Sequence, residues 1–523
     1  MSNGGHTAGL IATATAAVLL ASGVARAGTF VQNATLAHGG ITRYFDYYVP
    51  DALPPTPVPL LFVLHGGTQS NKFVAFTAFI ELHTLADQDA FIVIHPNGTD
   101  PSTGLSGPNG SVNWNDCRND AGTSTTTADD VGFLGALIDW AAGIFAIDLD
   151  RLYATGASNG GLMSYRLALE LSDRIAAIGA VIANLPANSE CAAAPARPLG
   201  VLVMNGTADP FMPFGGGTIL GNTGVVQSAA ATRDAWRGAL GTSPAGVHTT
   251  VPDRNSTDGS TVGIDTYCNG AHGTAMALYT VAGGGHTLPS VTHPVPPSAG
   301  FLGPQNRDLE GALAIWQFLK RHRRTGCGPC QSWDAGSQTC VARPRTGCLR
   351  STAPAKATLA VTDAAGTSDD QVVWKWRRGA AVTAADLGTP FGDDTYALCI
   401  YDETGPTPAL LSRAVAPGAQ SACGAPGRWS TVRNGYKFTD PGAAPDGLLT
   451  ARLATGAVGK ARATVKATGT NLSGRAFGVT TPPLTFPLRV QLQVSGGACV
   501  EATYSAAGVL RNEPGWFKGR AEM

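Results

Sequence analysis

One serine of this chain lies in a setting that suits a nucleophile. Residues 152–167 (LYATGASNGGLMSYRL) place an apolar run before Gly156-Ala157-Ser158-Asn159-Gly160 and a helical apolar pattern after it. A strand, a sharp turn and a helix would lift the Ser158 hydroxyl off a sheet and aim the helix N-terminus at it, where negative charge is favoured. Because the chain holds 66 glycines, chance alone can produce Gly-x-Ser-x-Gly, so the motif is only a hypothesis.

The chain also contains the partners that a nucleophilic serine requires. Such a serine needs a base, an acid that orients the base, and donors for an oxyanion. Asp209 follows the apolar run LGVLVM within NGTADP, and His286 lies in AGGGHTLP, each at the end of a predicted strand. The order Ser158, Asp209, His286 is that of α/β-hydrolases and not that of chymotrypsin-like or subtilisin-like proteases. We therefore predict these residues as nucleophile, acid and base.

The segment His65-Gly66-Gly67-Thr68 is the predicted source of oxyanion donors. It follows a buried apolar run, so backbone N–H groups of Gly67 or Thr68 can join that of Asn159 in binding a tetrahedral oxyanion. We expect His65 to be a structural histidine under the loop, without a role in proton transfer.

Several other residues compete for the acid and base roles. Asp129 and Asp130 precede the serine and are expected to start a helix at Val131, and Asp173 is a further rival acid. The rival histidines lack the glycines that frame His286; they are His95, His272 and His293.

The elements that must position these residues alternate between strands and helices. Strands are predicted at 42–50, 59–64, 90–95, 199–204 and 277–281. Helices are predicted at 131–145 and 309–319. This alternation predicts an α/β fold, with a mostly parallel sheet covered by helices, in which function gathers at the carboxyl ends of the strands.

A cysteine-rich stretch follows this first region. Residues 325–350 contain Cys327, Cys330, Cys340 and Cys348. Four cysteines can bind zinc, but the second pair is widely spaced, and disulfides are favoured in an exported protein. We predict a linker that is stapled by disulfides.

Beyond residue 350 the apolar pattern changes to a period of two. Strands are predicted at 357–361, 371–376, 396–401, 429–438, 448–453, 461–467, 488–494 and 499–504. Short strands at regular spacing predict a β-rich accessory domain of sandwich type over 351–523. Four aromatic residues either belong to its core, which is the favoured interpretation, or line a polymer-binding face; they are Trp374, Trp376, Trp429 and Tyr436.

Length, charge and cysteine content set wider limits. A chain of 523 residues predicts two or three domains, and a net charge of −1 provides no electrostatic case for nucleic acid or an anionic membrane as partner. Residues 1–27 resemble a signal peptide with cleavage after Ala27, although MSNGGHTAG lacks the usual positive charge. Together with ten cysteines, this predicts a secreted protein, extracellular or periplasmic, and a monomer.

Seven segments, in order, carry a family resemblance. They are HGGTQS, ADQDAFIVIHPNGT, VNWNDC, ADDVGFLGALID, DLDRLYATGASNGGLMSYRLA, MNGTADPFMPFGGG and GGGHTLP. Over residues 29–322 the chain resembles the secreted poly(3-hydroxybutyrate) depolymerase and feruloyl esterase family, to which the lipoprotein LpqC belongs. The resemblance implies an α/β-hydrolase domain over 28–324, no cofactor, no metal, and hydrolysis of carboxylic esters, often on polymers. It implies the same triad, with Gly67, Thr68 and Asn159 as the oxyanion region.

The chain departs from the family at two places. Family members often have tryptophan two residues after the catalytic histidine, where this chain has Leu288, so the substrate pocket, predicted to include Trp114 and Leu288, is altered. A cysteine that often follows the tryptophan matching Trp236 is also missing, which leaves the partner of Cys268 open. Either one disulfide links the two domains or free thiols remain.

The combined prediction is a secreted serine carboxylic ester hydrolase that works through an acyl-enzyme. Its first predicted substrate is a polyester of the polyhydroxybutyrate type, and the alternative is a feruloyl or acetyl ester on plant polysaccharide. A non-catalytic, secreted polymer-binding protein and a peptidase of the same fold are the remaining alternatives.

Overall fold

The structure is a computed structural model. It describes residues 28–75, 78–122, 125–243, 245–363, 370–419, 421, 423, 428–443, 447–468 and 481–522. The predicted signal peptide, residues 1–27, lies outside the described residues. Below, the N-terminal region denotes residues 28–324 and the C-terminal region residues 351–523.

The N-terminal region contains the following strands and helices. The strands are β1 (Thr29–His38), β2 (Ile41–Val49), β3 (Val58–Leu64), β4 (Ile92–Pro96), β5 (Ile147–Ala157), β6 (Ala177–Val181), β7 (Gly200–Gly206), β8 (Gly217–Thr218), β9 (Val225–Val226), β10 (Val247–Thr250), β11 (Thr261–Tyr267) and β12 (Met276–Ala282). The helices are α1 (Asn71–Ala75), α2 (Glu81–Asp89), α3 (Asp130–Ile144), α4 (Asn159–Glu170), α5 (Ala229–Leu240) and α6 (Gly311–Leu319). Short 3-10 turns lie at Ala78–Ile80, Ala271–Gly273 and Pro297–Leu302.

Ten of these strands form one mixed sheet. Its order is β1-β2-β4-β3-β5-β6-β7-β12-β11-β10, and β8 pairs separately with β9. The neighbours from β4 to β12 are parallel, whereas the two strands at each edge are antiparallel. Because parallel strands end at the same edge, the segments after β3, β5, β7 and β12 meet there. The predicted α/β fold is confirmed.

Alternation along β3 explains why this sheet is covered on both faces. All seven residues of β3 are buried. Leu60, Phe62 and Leu64 belong to the core that includes α3, α4 and α5, whereas Leu61 and Val63 belong to the core that includes α2 and α6. A strand buried on both faces therefore has the continuous apolar run that the sequence shows.

Asp129 starts helix α3, as predicted. Its side chain accepts a hydrogen bond from the Gly132 N–H at 2.9 Å, which satisfies one of the free amides of the first turn. Asp130 is buried and forms an ion pair with Arg43 at 2.5 Å. Both rival acids therefore have structural roles.

The rest of the chain is antiparallel. The linker contains the hairpin β13 (Gln331–Asp334) and β14 (Thr339–Ala342). The later strands are β15 (Ala357–Thr362), β16 (Gln371–Gly379), β17 (Tyr396–Asp402), β18 (Ala409–Ala416), β19 (Trp429–Val432), β20 (Gly435–Thr439), β21 (Leu448–Ala454), β22 (Ala461–Thr468), β23 (Leu488–Val494), β24 (Cys499–Tyr504), β25 (Val509–Glu513) and β26 (Trp516–Arg520). Short 3-10 turns lie at Ala385–Leu387 and Ala506–Gly508.

Two sheets of the C-terminal region share one core, as the predicted sandwich requires. The larger sheet has eight strands in the order β19-β20-β21-β22-β16-β15-β26-β25, and the smaller has the order β18-β17-β23-β24. Trp374, Trp376 and Trp429 are buried in that core, and Tyr436 packs against it. The core interpretation of these aromatics is confirmed. The strand expected at 429–438 is instead a hairpin, because Gly435 turns the chain with a φ of 140°.

All ten cysteines form disulfides, and the sequence did not specify which cysteines pair. The pairs are Cys117–Cys191, Cys268–Cys423, Cys327–Cys340, Cys330–Cys399 and Cys348–Cys499. Cys268–Cys423 links the two regions, which decides between the alternatives left open. The linker cysteines are all in disulfides and so do not form a zinc site.

Among the described residues no helix is long and apolar enough to cross a membrane.

Candidate active site

Ser158 lies at a strained turn between β5 and α4. Its backbone has φ 56° and ψ −119°, a conformation that an L-residue rarely adopts and that surrounding structure must enforce. The Ser158 N–H donates to the Val181 carbonyl at 2.9 Å, and its own carbonyl accepts from Leu162 N–H at 2.9 Å. The geometry is that of a nucleophile elbow, with the helix N-terminus directly behind the serine.

The glycines of the elbow are required by close packing. A Cβ at Gly156 would lie 2.6 Å from the Gly160 carbonyl carbon, and one at Gly161 would lie 2.6 Å from the Ala183 Cβ. A Cβ at Gly160 would collide with the backbone of Leu64 and His65. The small residues therefore let α4 approach β3 and β6 closely, as the sequence pattern suggested.

Asp209 orients His286. The His286 Nδ1 and Asp209 Oδ2 lie 2.7 Å apart, and the Asp209 side chain is 1% exposed. The other Asp209 oxygen accepts from the N–H groups of Phe211 and Met212, both at 2.8 Å. Because a carboxylate cannot donate, the Nδ1 proton belongs to the histidine, and Nε2 remains as the accepting nitrogen.

Two clefts meet at Ser158 and His286. The first, of about 890 Å³, is lined by Ser158 and His286 together with Gly67, Thr68 and Asn159. The second, of about 490 Å³, is also lined by Ser158 and His286, and its other walls are mainly apolar. Leu288 lines the second cleft, as predicted for the substrate pocket. The structure thus brings together the three residues predicted as a triad, although they are far apart in sequence.

The predicted oxyanion residues divide into two groups. A Cβ at Gly67 would lie 3.5 Å from the Asn159 Cβ, so the two residues are neighbours at the cleft, and Asn159 is the first residue of α4. The Thr68 N–H, however, donates to the Asn113 Oδ1 at 2.6 Å. The structure therefore corrects the prediction for Thr68: its amide is held by Asn113 and is not directed to an oxyanion. The amides of Gly67 and Asn159 remain the candidates.

Trp114 does not line the pocket, contrary to the prediction. It is fully buried, stacks on His65 with ring centroids 4.7 Å apart, and donates from Nε1 to the His65 carbonyl at 3.0 Å. Its backbone N–H donates to the Asn159 Oδ1 at 2.8 Å. Trp114 therefore supports the loop and the first turn of α4 from below, because a large apolar ring is best placed in the core.

His65 is structural, as expected. It is fully buried; its Nδ1 lies 2.8 Å from the Gly66 carbonyl, and its Nε2 accepts from the Gly98 N–H at 3.0 Å. Burial lowers the pKa of His65 to about 4. The ring is therefore neutral near pH 7, with its proton on Nδ1, and it fixes the loop that carries Gly67.

A pair of carboxyl groups holds one wall of the second cleft. The Ser290 hydroxyl contacts Glu81 at 2.7 Å and Glu310 at 2.9 Å, and the Thr292 hydroxyl donates to Glu81 at 2.8 Å. Burial, followed by the hydrogen bond with Glu81, raises the pKa of Glu310. Burial also acts to raise the pKa of Glu81. Hydrogen bonds, the largest of them with Glu310, outweigh burial there and lower the pKa of Glu81. The contacts of Ser290 and Thr292 with these two carboxyl groups fasten the segment that contains Thr292 and His293.

The rival residues have other partners. The Nε2 of His95 lies 2.8 Å from that of His83 in a buried pair, and His293 contacts Glu81 at 2.8 Å although it lines the second cleft. His272 lies 3.3 Å from Arg197, and Asp173 lies in an exposed turn.

Three residues that support the site were not predicted from the sequence. Asp116 accepts from Asn159 Nδ2 and forms an ion pair with Arg118 at 2.7 Å, which fixes the side chain of the residue after the serine. Asn113 holds Thr68. Both lie in or beside VNWNDC, so the segment was noticed but not the roles of its members. Phe211, beside Asp209, packs on His286 with ring centroids 5.1 Å apart.

Comparison with known proteins places the chain in a family. A protein named "Putative esterase NocK", from Nocardia uniformis subsp. tsuyamanensis, is 30% identical over 308 residues, covering 57% of this chain and 84% of that protein. The chain belongs to this α/β-hydrolase esterase family. The predicted resemblance is thereby confirmed. No family model matches the chain.

Two further proteins that are similar to parts of the chain have names that include the word esterase. Feruloyl esterase C of Emericella nidulans is 28% identical to the esterase over 204 residues, which cover 38% of this chain and 67% of that protein. The solved acetyl xylan esterase from Aspergillus awamori overlaps with a TM-score of 0.33 at 15% identity, covering 48% of this chain and 93% of that chain. An overlap of that size adds nothing to the strand order described above.

Proposed function

We propose that the esterase hydrolyses carboxylic esters through an acyl-enzyme on Ser158. The observation that carries this proposal is the 2.7 Å contact between His286 Nδ1 and Asp209 Oδ2, at a cleft that Ser158 also lines. A base oriented in this way, beside a serine in a strained elbow, is the arrangement that activates a hydroxyl for acyl transfer.

The reaction has two half-steps. In the first, His286 Nε2 takes the Ser158 proton as Oγ attacks the ester carbonyl carbon; the bond to the alcohol oxygen then breaks, and His286 returns the proton to the departing alcohol. In the second, water gives a proton to His286 and its oxygen attacks the acyl-serine; the bond to Oγ breaks and Ser158 regains the proton. The acid is released, and no cofactor takes part.

The backbone amides of Gly67 and Asn159 are the proposed oxyanion donors. Asn159 is the first residue of α4, where intrahelical partners for N–H groups are lacking and the helix dipole favours negative charge. His65 and Trp114, packed below Gly67, hold that side of the hole in place.

The clefts favour a bulky, apolar ester. Phe73, Leu220 and Phe301 line the first cleft and are 51%, 56% and 67% exposed, so they leave an apolar rim around its mouth. The second cleft has an apolar wall that includes Phe79, Ile182 and Leu288. A polyester of the polyhydroxybutyrate type is the first candidate, because its chain is apolar on both sides of each ester bond.

A feruloyl or acetyl ester on plant polysaccharide is the second candidate. The relative named feruloyl esterase C favours it, and a cleft of about 490 Å³ has room for an aromatic acyl group. Measured release from poly(3-hydroxybutyrate) film, methyl ferulate and acetylated xylan, side by side, separates these candidates.

We propose that the esterase works outside the cytoplasm. All ten cysteines are paired in five disulfides, and structural disulfides are typical of oxidising compartments and rare in the cytosol. Cleavage of residues 1–27 during export and a monomeric state belong to the same proposal.

The direct test replaces the nucleophile. On p-nitrophenyl butyrate, Ser158→Ala should lower kcat by about 10⁵- to 10⁶-fold, because the acyl-enzyme can no longer form. An organophosphonate ester should label Ser158 in the wild type, as peptide mass spectrometry would show.

Ser164→Ala is the matched control. Ser164 lies on the same helix, is buried, and donates to the Gly160 carbonyl at 2.9 Å, so its loss tests for a general disturbance of α4. Turnover by Ser158→Ala equal to that of Ser164→Ala would remove the assignment and leave the binding-protein alternative. Cleavage of peptides without any ester would favour a peptidase.

A further inference from the structure

The outer face of the eight-stranded sheet carries cations on several neighbouring strands. Along these strands inward residues alternate with outward ones, and the inward residues form the core of the sandwich. Six of the outward cations are used below to define this surface, which we call the cationic face: Lys375, Lys437, Arg452, Lys466, Lys518 and Arg520.

Strand register places the cations of this face in line. Lys437 lies opposite Arg452, which lies opposite Thr464, which lies opposite Lys375. Thr358 continues the row between Lys375 and Arg520. The row crosses six strands, or about 24 Å at the usual strand spacing.

A second row lies beside the first. Thr450 lies opposite Lys466, Lys466 opposite Val373, and Val373 opposite Ala360, which faces Lys518 on the next strand. The two rows together form a positively charged band across the sheet.

Seven of the eight strands contain no acid that could balance this charge. Strands β15, β16, β19, β20, β21, β22 and β26 contain neither aspartate nor glutamate, and Glu513 of β25 is paired with Arg511. Among the residues that the structure describes, none of the six cations forms an ion pair. The net charge of the whole chain, −1, conceals this patch because the acids lie elsewhere.

Folding alone does not explain such a face. Like charges directly opposite each other, such as Lys437 and Arg452, destabilise a sheet. Lysines protect sheet edges from pairing, but here the edges are β19 and β25, and the cations lie on strands between them. Solubility is best served by charges of mixed sign. Like charges on the outer face of central strands therefore indicate a ligand that neutralises them.

The chemistry of the face favours a carboxylate-bearing polysaccharide. Thr358, Thr450 and Thr464 place hydroxyl groups between the cations, where they can exchange hydrogen bonds with sugar hydroxyls. Lysine and arginine pair with carboxylates. Binding to bases needs several aromatic platforms, and insertion into a membrane needs several apolar side chains. Trp516, at one side of the face, is its one exposed indole among the described residues.

We propose that the cationic face binds a uronate-containing polysaccharide and so keeps the esterase on an acidic polymer. The proposal rests on the proposed function only for the choice of a polysaccharide as ligand, and it favours the second substrate candidate. Binding and hydrolysis use different regions, so each can fail without the other.

The test measures binding of the full chain to polygalacturonate, with the carboxyl-reduced, neutral form of the same polymer as control ligand. The wild type should bind the acidic form at low salt and not the neutral form, and added salt should weaken binding by screening. The variant Lys375→Gln/Lys437→Gln/Arg452→Gln should bind about 100-fold more weakly.

The matched protein control removes three exposed arginines elsewhere, as Arg254→Gln/Arg323→Gln/Arg343→Gln. It loses the same charge and should bind like the wild type. Retained hydrogen-exchange protection of strands β16, β20 and β21 shows that the face variant is folded, and single exchanges at Lys437 or Arg452 should give graded losses if the triple variant is unstable. Ser158→Ala should bind normally.

Three results would overturn the proposal. They are equal binding of the neutral polymer, binding that is unaffected by the face variant, and tighter binding of duplex DNA or phosphatidylglycerol vesicles than of polygalacturonate at the same ionic strength. The last result would identify a nucleic-acid or membrane surface instead.

Discussion

Two sheets of the esterase place chemically active side chains in different ways. In the ten-stranded sheet, Ser158, Asp209 and His286 follow the parallel strands β5, β7 and β12, and they meet at one edge. In the eight-stranded antiparallel sheet, cations such as Lys375 and Arg452 lie across a face and meet at no single point.

Strand direction is the reason for this difference. Parallel strands end at one edge, so segments that are distant in sequence converge there and can form a catalytic site. Antiparallel neighbours end at opposite edges, and what they share is a flat array of opposed side chains. The first arrangement suits chemistry on one bond, and the second suits contact with an extended polymer. Three experiments test this contrast.

The largest expected effect is on catalysis at the parallel sheet. Asp209→Asn should lower kcat on p-nitrophenyl butyrate by roughly 10⁴-fold, because the amide cannot hold the His286 tautomer that accepts the serine proton. Asp308→Asn is the control, since Asp308 is also buried and accepts from the Arg254 and Asn255 amides, away from the clefts. It should lower the melting temperature and keep the turnover. If the activity of Asp209→Asn lay within tenfold of the wild type, Asp209 and His286 would not act together with Ser158 at this edge of the sheet.

The second effect is a difference in acid stability. Burial lowers the pKa of His65, His83 and His322 to about 4 in each case, and all ten histidines precede residue 323. A depressed folded-state pKa gives stability that is present above the usual value of about 6.5 and is lost as the pH falls towards 4, on the order of 3 kcal/mol per histidine. The N-terminal region should therefore lose protection before the C-terminal region does.

Hydrogen exchange at pH 7, 5 and 4, followed region by region, measures this order. His322→Gln should reduce the loss of stability across that window, because one buried group no longer takes up a proton. His248→Gln should leave it unchanged, since His248 is exposed beside Asp265. Earlier exchange in the C-terminal region would contradict the comparison.

The smallest effect concerns repulsion on the cationic face. Arg452→Gln should raise the free energy of unfolding by about 0.2–1 kcal/mol, because it removes a like charge opposite Lys437. Urea unfolding at low salt measures the gain, which high salt should abolish. Arg511→Gln should give no gain, since Arg511 is paired with Glu513. A loss of stability in Arg452→Gln would mean that the arginine has a stabilising partner.

Much of the N-terminal region could be predicted because its signals are local. The run 199–204 and the observed β7 differ by one or two residues at each end. Helix α3 begins directly after Asp129, within one residue of the predicted start. The elbow glycines could be recognised in the sequence because only small residues permit the close contacts of α4 with β3 and β6. Thr68 and Trp114 were assigned wrongly because their partners, Asn113 and His65, come from other segments.

In the C-terminal region the strands were predictable, but their neighbours were not. The apolar pattern does not predict strands β18, β25 and β26, and it predicts one strand at 429–438 where the structure has a hairpin at Gly435. The row from Lys437 to Arg520 exists only because β22 pairs with β16 and β26 with β15, which periodicity does not specify. Net charge, which sums over the chain, could not reveal it.

The elbow at Ser158, the order of the triad candidates and the two kinds of sheet can be read from the amino-acid sequence, because they depend on neighbouring residues and on local periodicity. The folded chain was needed to show which amide Asn113 holds, where Trp114 lies, which cysteines pair and which cations line up. Each of these features depends on strand register and on contacts between segments that are distant in sequence. Such contacts are fixed by the packing of the whole molecule.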